Sequence, residues 1–493
     1  MKKNPSTIKF VLDDEIHEVD FILSKLKPTT TVLNYLRSLP GHKGVKEGCA
    51  EGDCGACTVV VASLNNRGQL EYRSIDSCLV FLPMVHGKQI ITVENLAQKA
   101  RGTALLHPVQ QAMVENDGSQ CGYCTPGIVM SLFALYKNHE QADKETISDA
   151  LTGNLCRCTG YRSIIDAGHQ VFKDKHPDIF DKKEEHTIEL LRHINADKMP
   201  VEIMASDQHY LKPFTLPDAL ALHEEYPEAI IAGGSTDIAL LQTKKRMELP
   251  SILDISAVAD LDFIVEDHRQ LAIGAGTTLE DLHQYTKGRF PYLYDMLHVF
   301  GALQIRNRAT LGGNIASASP IGDMLPVLLV LKAKVRLMNT AGQRDLDLQD
   351  FIVGYRKTAL AQDELLTMIT FKKPHKSEFI KNYKISKRRD LDISSVSACF
   401  RLWLDMDQQI VDVAIAYGGV AAVPIRAHKT EEFLKGKQWN RANAEGAAAV
   451  VGDEFMPMSD ARSSAEARRL MASNLILKCW DETNTDIQKQ KTV

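Results

Sequence analysis

Glu47-Gly48-Cys49-Ala50-Glu51-Gly52-Asp53-Cys54-Gly55-Ala56-Cys57 carries three cysteines in the spacing C-x4-C-x2-C, and Cys78 follows after twenty residues. Three thiolates drawn from one short loop need a backbone that wraps their common target without side chains in the way. Gly48, Gly52 and Gly55 supply that freedom, including positive φ where a turn demands it. Backbone N–H groups in such a loop can point at the sulfurs and stabilise negative charge there. Zinc favours two separated C-x2–4-C hooks, so three close ligands suit it poorly.

The spacing is the plant-type arrangement for a [2Fe–2S] cluster, whose fourth thiolate comes from a distant strand or turn. Eight of the ten cysteines fall between Cys49 and Cys158; Cys399 and Cys479 lie beyond and read as buried, inert thiols. A disulfide scaffold would spread cysteines through a short secreted chain, whereas crowding in a long chain argues for metal. The length of 493 residues suggests about three or four domains. Hydrophobic residues at 44% and charged residues at 25% make an ordinary globular balance. A net charge of −5 points neither to nucleic acid nor to an anionic membrane. No apolar run approaches the ~20 residues that cross a bilayer. Met1-Lys2-Lys3-Asn4-Pro5 leads into alternating Ile8, Phe10 and Leu12, a strand pattern and not a signal-peptide core. The expectation is a cytoplasmic protein with no nucleic-acid or membrane partner.

Residues 1–96 read as a small β-rich unit, with strands over 7–12, 58–62 and 89–93 and a helix over 32–39. Residues 97–172 switch to helical periodicity. There Thr125-Pro126 predicts a cap and an N1 proline, and Ile128, Val129, Leu132, Phe133 and Tyr136 form one stripe. Further helices are expected over 146–151 and from Tyr161. The polar segment 173–208, with Lys182-Lys183-Glu184-Glu185, reads as a linker holding a short helix near 188–194. Residues 209–377 are mixed α and β. Residues 378–493 form another α+β unit, with strands over 397–404 and 410–417 and an alanine-rich helix over 443–451.

Cys121 and Cys124 form C-x2-C, and Cys156 and Cys158 form C-x-C thirty-one residues later. Both hooks sit beside predicted helix starts, whose free N–H groups favour an anionic group. Alone, this pair suits zinc or thiol redox chemistry as well; beside the first loop, a second [2Fe–2S] cluster is the stronger reading. Ile230-Ile231-Ala232-Gly233-Gly234-Ser235-Thr236-Asp237 is a strand, a glycine turn and a helix start, and Thr310-Leu311-Gly312-Gly313-Asn314 is a second glycine turn. Such turns let backbone approach a pyrophosphate, although a double glycine is more often only a tight turn. Neither matches G-x-G-x-x-G.

Taken together, the motifs resemble the xanthine dehydrogenase family, in particular the iron–sulfur and FAD subunit of bacterial enzymes with split subunits. Residues 47–57, Gln120-Cys121-Gly122-Tyr123-Cys124-Thr125-Pro126-Gly127 and Gly153-Asn154-Leu155-Cys156-Arg157-Cys158-Thr159-Gly160-Tyr161 are similar to its two cluster loops. The resemblance implies Cys49, Cys54, Cys57 and Cys78 as ligands of one cluster, and Cys121, Cys124, Cys156 and Cys158 as ligands of the other. It implies FAD contacts at Ile230 to Asp237, Thr310 to Asn314 and Asp323, and further ones at Phe300, Leu366 and Lys384. Tyr417-Gly418-Gly419-Val420 and Arg426 resemble the family's C-terminal flavoprotein domain.

The implied fold is multidomain α+β: a β-grasp [2Fe–2S] ferredoxin domain (1–96), a helical-bundle [2Fe–2S] domain (97–172), a linker (173–208), a two-lobed α/β FAD domain (209–377) and a C-terminal α+β domain (378–493). Because the sequence ends at Val493, the molybdenum cofactor is expected on a partner large subunit, in a heterodimer or heterotetramer. The implied activity is electron transfer from that cofactor through two [2Fe–2S] clusters to FAD and then NAD+, during oxidation of hypoxanthine and xanthine to urate. No residue here need act as a general base toward the purine, since the redox cofactors carry the chemistry. Rival readings are the same module in an aldehyde or carbon monoxide oxidising molybdenum hydroxylase, a stand-alone NADH-dependent reductase and a zinc-binding interaction protein. Lys387-Arg388-Arg389-Asp390 reads equally as a flavin-tuning charge group and as a solvated loop. His86 and His107 read as packing or surface residues.

Overall fold

The computed structural model describes residues 6–100, 103–173, 175–196, 198–375 and 377–492. Residues 1–5, part of the N-terminal strand argument, lie outside them. The chain forms two compact units: residues 1–258 with 302–309, and residues 259–301 with 310–493.

The first unit begins with a five-stranded sheet in the order Glu15–Asp20, Thr7–Leu12, Gln89–Ile91, Thr58–Leu64, Leu70–Asp76. Thr7–Leu12 runs parallel to Gln89–Ile91, and the other pairs are antiparallel. Helix Val32–Ser38 buries Val32, Leu33 and Leu36 in the same core as Val59 and Val61. Val60 and Ala62, on the opposite face of that strand, pack with Val109, Phe133 and Ile164 of the helical segment. A strand covered on both faces has no polar face to show, which explains the unbroken apolar run at 58–62.

Four helices follow: Pro108–Glu115, Thr125–Asn138, Lys144–Ala150 and Arg162–Lys173. Cys124, and not Thr125, occupies the cap position of the second, because the chain enters the helix with Cys124 already in right-handed α geometry. His107 is buried, caps the first helix and bonds through Nε2 to Asp178 Oδ2 at 3.0 Å.

Within residues 173–208 the short helix expected near 188–194 is present as Glu184–Ile194. Helix Glu184–Ile194 buries Leu191 and Ile194 against Val11, and strand Val201–Ala205 pairs antiparallel with Gln208–Lys212. Its apolar positions recur at helical spacing but are few, so the charged residues between them dominate the composition. A four-stranded sheet in the order Ile230–Ala232, Ser251–Asp254, Gln208–Lys212, Val201–Ala205 completes this unit. The boundary between the units, at Val258, falls inside the two-lobed domain expected over 209–377.

The second unit holds an antiparallel sheet in the order Ile264–Glu266, Gln270–Gly274, Leu365–Lys372, Lys334–Asn339, Gly342–Asp347. A second antiparallel sheet runs Glu378–Ile385, Val396–Leu404, Ile410–Gly418, Ile425–Arg426. Helices Arg441–Glu454 and Ala465–Thr492 share a core with it through Ala447, Val451, Ile476 and Cys479. Cys399 and Cys479 are fully buried. Among the described residues no helix is long and apolar enough to cross a membrane.

Candidate functional site

The register Thr58↔Asp76 sets the first cysteine group. Cys57 immediately precedes one strand of that pair, and Cys78 sits in the short 3-10 turn Ser77–Leu79 just after the other. Their sulfurs lie 3.4 Å apart. Cys49 and Cys54 form the second pair of this group, each the largest influence on the other's thiol. Gly52 and Gly55 take positive φ of 79° and 66°, which bends the loop over its thiols. The amides of Glu51 and Asp53 donate to Cys49 Sγ at 3.4 and 3.3 Å. The Cys54 thiol, together with these amides, pulls the Cys49 thiol below its ordinary value. Asp76, which sequence reading missed, is buried beside Cys57, with its Oδ1 3.6 Å from that sulfur. Burial, with the Cys49 charge second, pushes its carboxyl up to about 8.

The second group divides in the same way. Cys121 and Cys158 are exposed, and each shifts the other's thiol. Cys124 and Cys156 lie further in and act on each other's thiols. Thr159 Oγ1 is 3.1 Å from Cys156 Sγ, and the Cys156 amide donates to Tyr161 Oη at 2.8 Å. All ten cysteines are free thiols. Among the described residues no three Cys, His, Asp or Glu side chains converge on one ion position. A two-iron cluster takes two thiolates on each iron. Paired thiols, two pairs to a group, fit that requirement.

The two glycine loops belong to different units. In the first unit, a Cβ on Gly234 would meet the Arg308 carbonyl oxygen at 1.8 Å, so only glycine passes there. Ser235 has φ of 62° and donates its hydroxyl to the carbonyl of Leu79, the residue after Cys78. Ile238–Thr243 is helical, and Lys244 at its end reaches Glu51 at 3.0 Å and the Cys49 carbonyl at 3.2 Å. The loop from Ile230 to Asp237 is thus tied to the Cys78 end of the first cysteine group, and the helix that follows it reaches the Cys49 end. At the ends of the neighbouring strands, buried Lys212 Nζ lies 2.7 Å from Asp254 Oδ2, which Tyr210 Oη also reaches at 2.9 Å. These three have no motif that would have marked them.

In the second unit, residues 310–314 are not a free turn. Thr310 caps helix Leu311–Ala316, accepting the Gly313 amide at 3.0 Å. Gly312 lies against Ala275, whose carbonyl accepts its amide at 3.0 Å. Asn314 Oδ1 is buried without a hydrogen-bond partner, an acceptor a flavin nucleotide could satisfy. Asp323 and Lys384 pair at 3.0 Å, both buried, and Lys384 Nζ also donates to the Val299 carbonyl at 2.9 Å, beside Phe300. Leu366 is buried on the neighbouring sheet, opposite Leu337. Arg388 of the charged segment bonds Asp392 at 2.8 Å through Nε.

A "[2Fe-2S] binding domain" profile matches residues 92–169, and an "FAD binding domain in molybdopterin dehydrogenase" profile matches 203–373. A "CO dehydrogenase flavoprotein C-terminal domain" profile matches 381–483. Xanthine dehydrogenase of Emericella nidulans is 32% identical over 508 residues, covering 91% of this chain and 36% of that protein. The chain belongs to the xanthine dehydrogenase family. Xanthine dehydrogenase 1 of Arabidopsis thaliana is 31% identical over 499 residues, 87% of this chain and 36% of that protein. The chain thus spans little more than a third of the length of these xanthine dehydrogenases, and carries the family's iron–sulfur and flavin-binding segments. Among solved structures, a chain of the Cu,Mo-CO dehydrogenase in its cyanide-inactivated form is 28% identical, with a TM-score of 0.51 over 54% of this chain and 94% of that one.

Proposed function

We propose that this chain is the electron-transfer part of a xanthine dehydrogenase, and that it works with a partner subunit holding the molybdenum cofactor. Cys49, Cys54, Cys57 and Cys78 hold one [2Fe–2S] cluster, and Cys121, Cys124, Cys156 and Cys158 hold the other. Ile230 to Asp237, Thr310 to Asn314, Asp323, Phe300, Leu366 and Lys384 hold FAD. When bound, the clusters supply one-electron transfer, and the flavin converts single electrons to the hydride that NAD+ accepts. The overall reaction on this reading is oxidation of hypoxanthine and xanthine to urate, in the cytoplasm.

The observation that carries the reading is the hydrogen bond from Ser235 to the carbonyl of Leu79. It fastens the proposed pyrophosphate loop one residue from a proposed cluster ligand. The exposed thiols Cys121 and Cys158 leave the other group open to a partner, while Cys124 and Cys156 lie inward.

A second reading, the same module in a carbon monoxide or aldehyde oxidising enzyme, is supported by the 28% identity to the CO dehydrogenase chain. Purification of the native complex, with assay of iron, molybdenum and flavin, tests the cofactors. Turnover of xanthine, an aldehyde and carbon monoxide with NAD+ separates the two readings, and xanthine-dependent NADH formation is the expected result. A complex that reduces no NAD+ with any purine would refute the first reading.

A further inference from the structure

The two cysteine groups are joined inside the first unit by a patch of direct backbone contact. The Leu155 amide donates to the Cys54 carbonyl at 3.0 Å. Cys54 is a proposed ligand of one cluster, and Leu155 immediately precedes Cys156, a proposed ligand of the other. The backbone link between the two ligand sets is therefore one hydrogen bond long.

Three glycines make that approach possible. A Cβ on Gly127 would meet the Gly55 carbonyl oxygen at 2.0 Å, and one on Gly55 would meet the Gly153 carbonyl oxygen at 2.2 Å. One on Gly153 would meet Gln304 Oε1 at 2.1 Å. Each glycine lies within three residues of a cysteine, so both loops are thinned where they meet.

Two buried amides lock the contact. Asn154 is 2% exposed and Gln304 1%. Asn154 Nδ2 donates to the Gly55 carbonyl at 3.1 Å and to Thr58 Oγ1 at 3.3 Å. Its Oδ1 accepts from Ser131 Oγ at 2.7 Å and from Gln304 Nε2 at 2.9 Å. Gln304 Nε2 also donates to Ser131 Oγ at 3.0 Å, but Gln304 Oε1 is buried with no partner. An unsatisfied buried acceptor is a standing cost, and a hydrocarbon of the same size would avoid it. The amide is explained if its two N–H bonds are needed to hold Asn154 in register.

We propose that Asn154 and Gln304 are positioning residues for electron transfer: they clamp the two ligand loops so that the Leu155 N–H···O=C Cys54 bond is the crossing point between the clusters. The proposal rests on the electron-carrier reading above. With both clusters bound, the transfer would move one electron and no atom: one iron pair would be oxidised by one and the other reduced by one, with no proton or bond changing place.

The test uses the full chain in its native complex, comparing the natural protein with Gln304→Leu and with the milder Ser131→Ala. Three quantities are measured: iron and flavin content, the magnetic interaction between the two cluster signals on full reduction, and the rate of electron equilibration between clusters after photoreduction. Hydrogen exchange at the Leu155 amide reports the bond itself. The expected result is normal iron and flavin, faster Leu155 exchange, weaker magnetic interaction and equilibration slowed roughly 10-fold or more. Faster exchange with unchanged interaction and rate, in whichever variant folds, would overturn the bridge while leaving the carrier reading intact. If the natural protein showed no pair of cluster signals at all, the carrier reading itself would fall.

Discussion

Lys384 Nζ lies 3.0 Å from Asp323 Oδ2 with both side chains about nineteen-twentieths buried, and Ser394 Oγ holds the other carboxylate oxygen at 2.6 Å. The pair links strand Glu378–Ile385 to the residue just before helix Met324–Val330. Breaking a buried pair strands a charge and costs about 3–5 kcal/mol. Lys384→Met should therefore lower the thermal midpoint clearly and reduce the flavin that survives gel filtration. An unchanged midpoint with full flavin would show that the pair holds neither.

Cys78→Ala removes one thiol of the pair that sits 3.4 Å apart. The expected outcome is loss of one cluster, with iron content falling to about half, because each [2Fe–2S] cluster needs its four thiolates. One of two spin-half signals should vanish and the other persist. Cys124→Ala should erase the complementary signal.

Gly312→Ala would place a Cβ 2.6 Å from both the Cβ and the carbonyl oxygen of Ala275. Such overpacking costs about 1–3 kcal/mol, and the loop carrying Asn314 should shift with it, so flavin retention falls. Gly342→Ala meets nothing within 4 Å, and its effect should stay within about 0.5 kcal/mol. Denaturant midpoints of the two variants side by side give the comparison.

Asp178 predicts a pH dependence. Burial pushes its carboxyl up, but the hydrogen bond to His107, the Lys137 ammonium and the Asp181 amide outweigh it and hold the group well below the usual carboxylate range. In the unfolded chain an aspartate titrates near about 3.9. The unfolded state therefore binds the proton first as pH falls, so this stabilisation is present above about pH 4 and is lost progressively below it. Asp178→Asn should cost roughly 1–3 kcal/mol at neutral pH, and the difference from the natural protein should shrink on acidification. A gap that is constant from pH 7 to pH 3.5 would contradict the assignment.

The cysteine loops were legible because ligand spacing is local: three thiols and three glycines within residues 47–57 already dictate a wrapped loop. The strand carrying Val59 and Val61 was equally plain, although its double covering was not. Within residues 173–208 the short helix was legible but its docking was not: Leu191 and Ile194 sit among many charges, and what they bury against, Val11, is far away in sequence. Thr310 shows the same limit: a double glycine suggests a turn, but the Thr310 hydroxyl makes it a helix start. Asn154 stood inside a quoted motif without a role, and Gln304 in no motif at all. Their function lies in hydrogen bonds spanning 99 and 150 residues, a separation that pattern reading does not reach.

The chain crosses from one unit to the other at Val258, returns for Ala302–Ala309, and leaves again. That brief return carries Gln304, bonded to Ser131 and Asn154, and Asn307, whose Nδ2 bonds the Ser74 carbonyl at 2.9 Å. A protease nick between Val258 and Ala302 would thus leave two fragments still plugged together, the C-terminal piece gripping the N-terminal one through its own inserted peptide. The same stretch is a natural place to split the gene, since the peptide Ala302–Ala309 keeps its bonds to Ser74, Ser131 and Asn154.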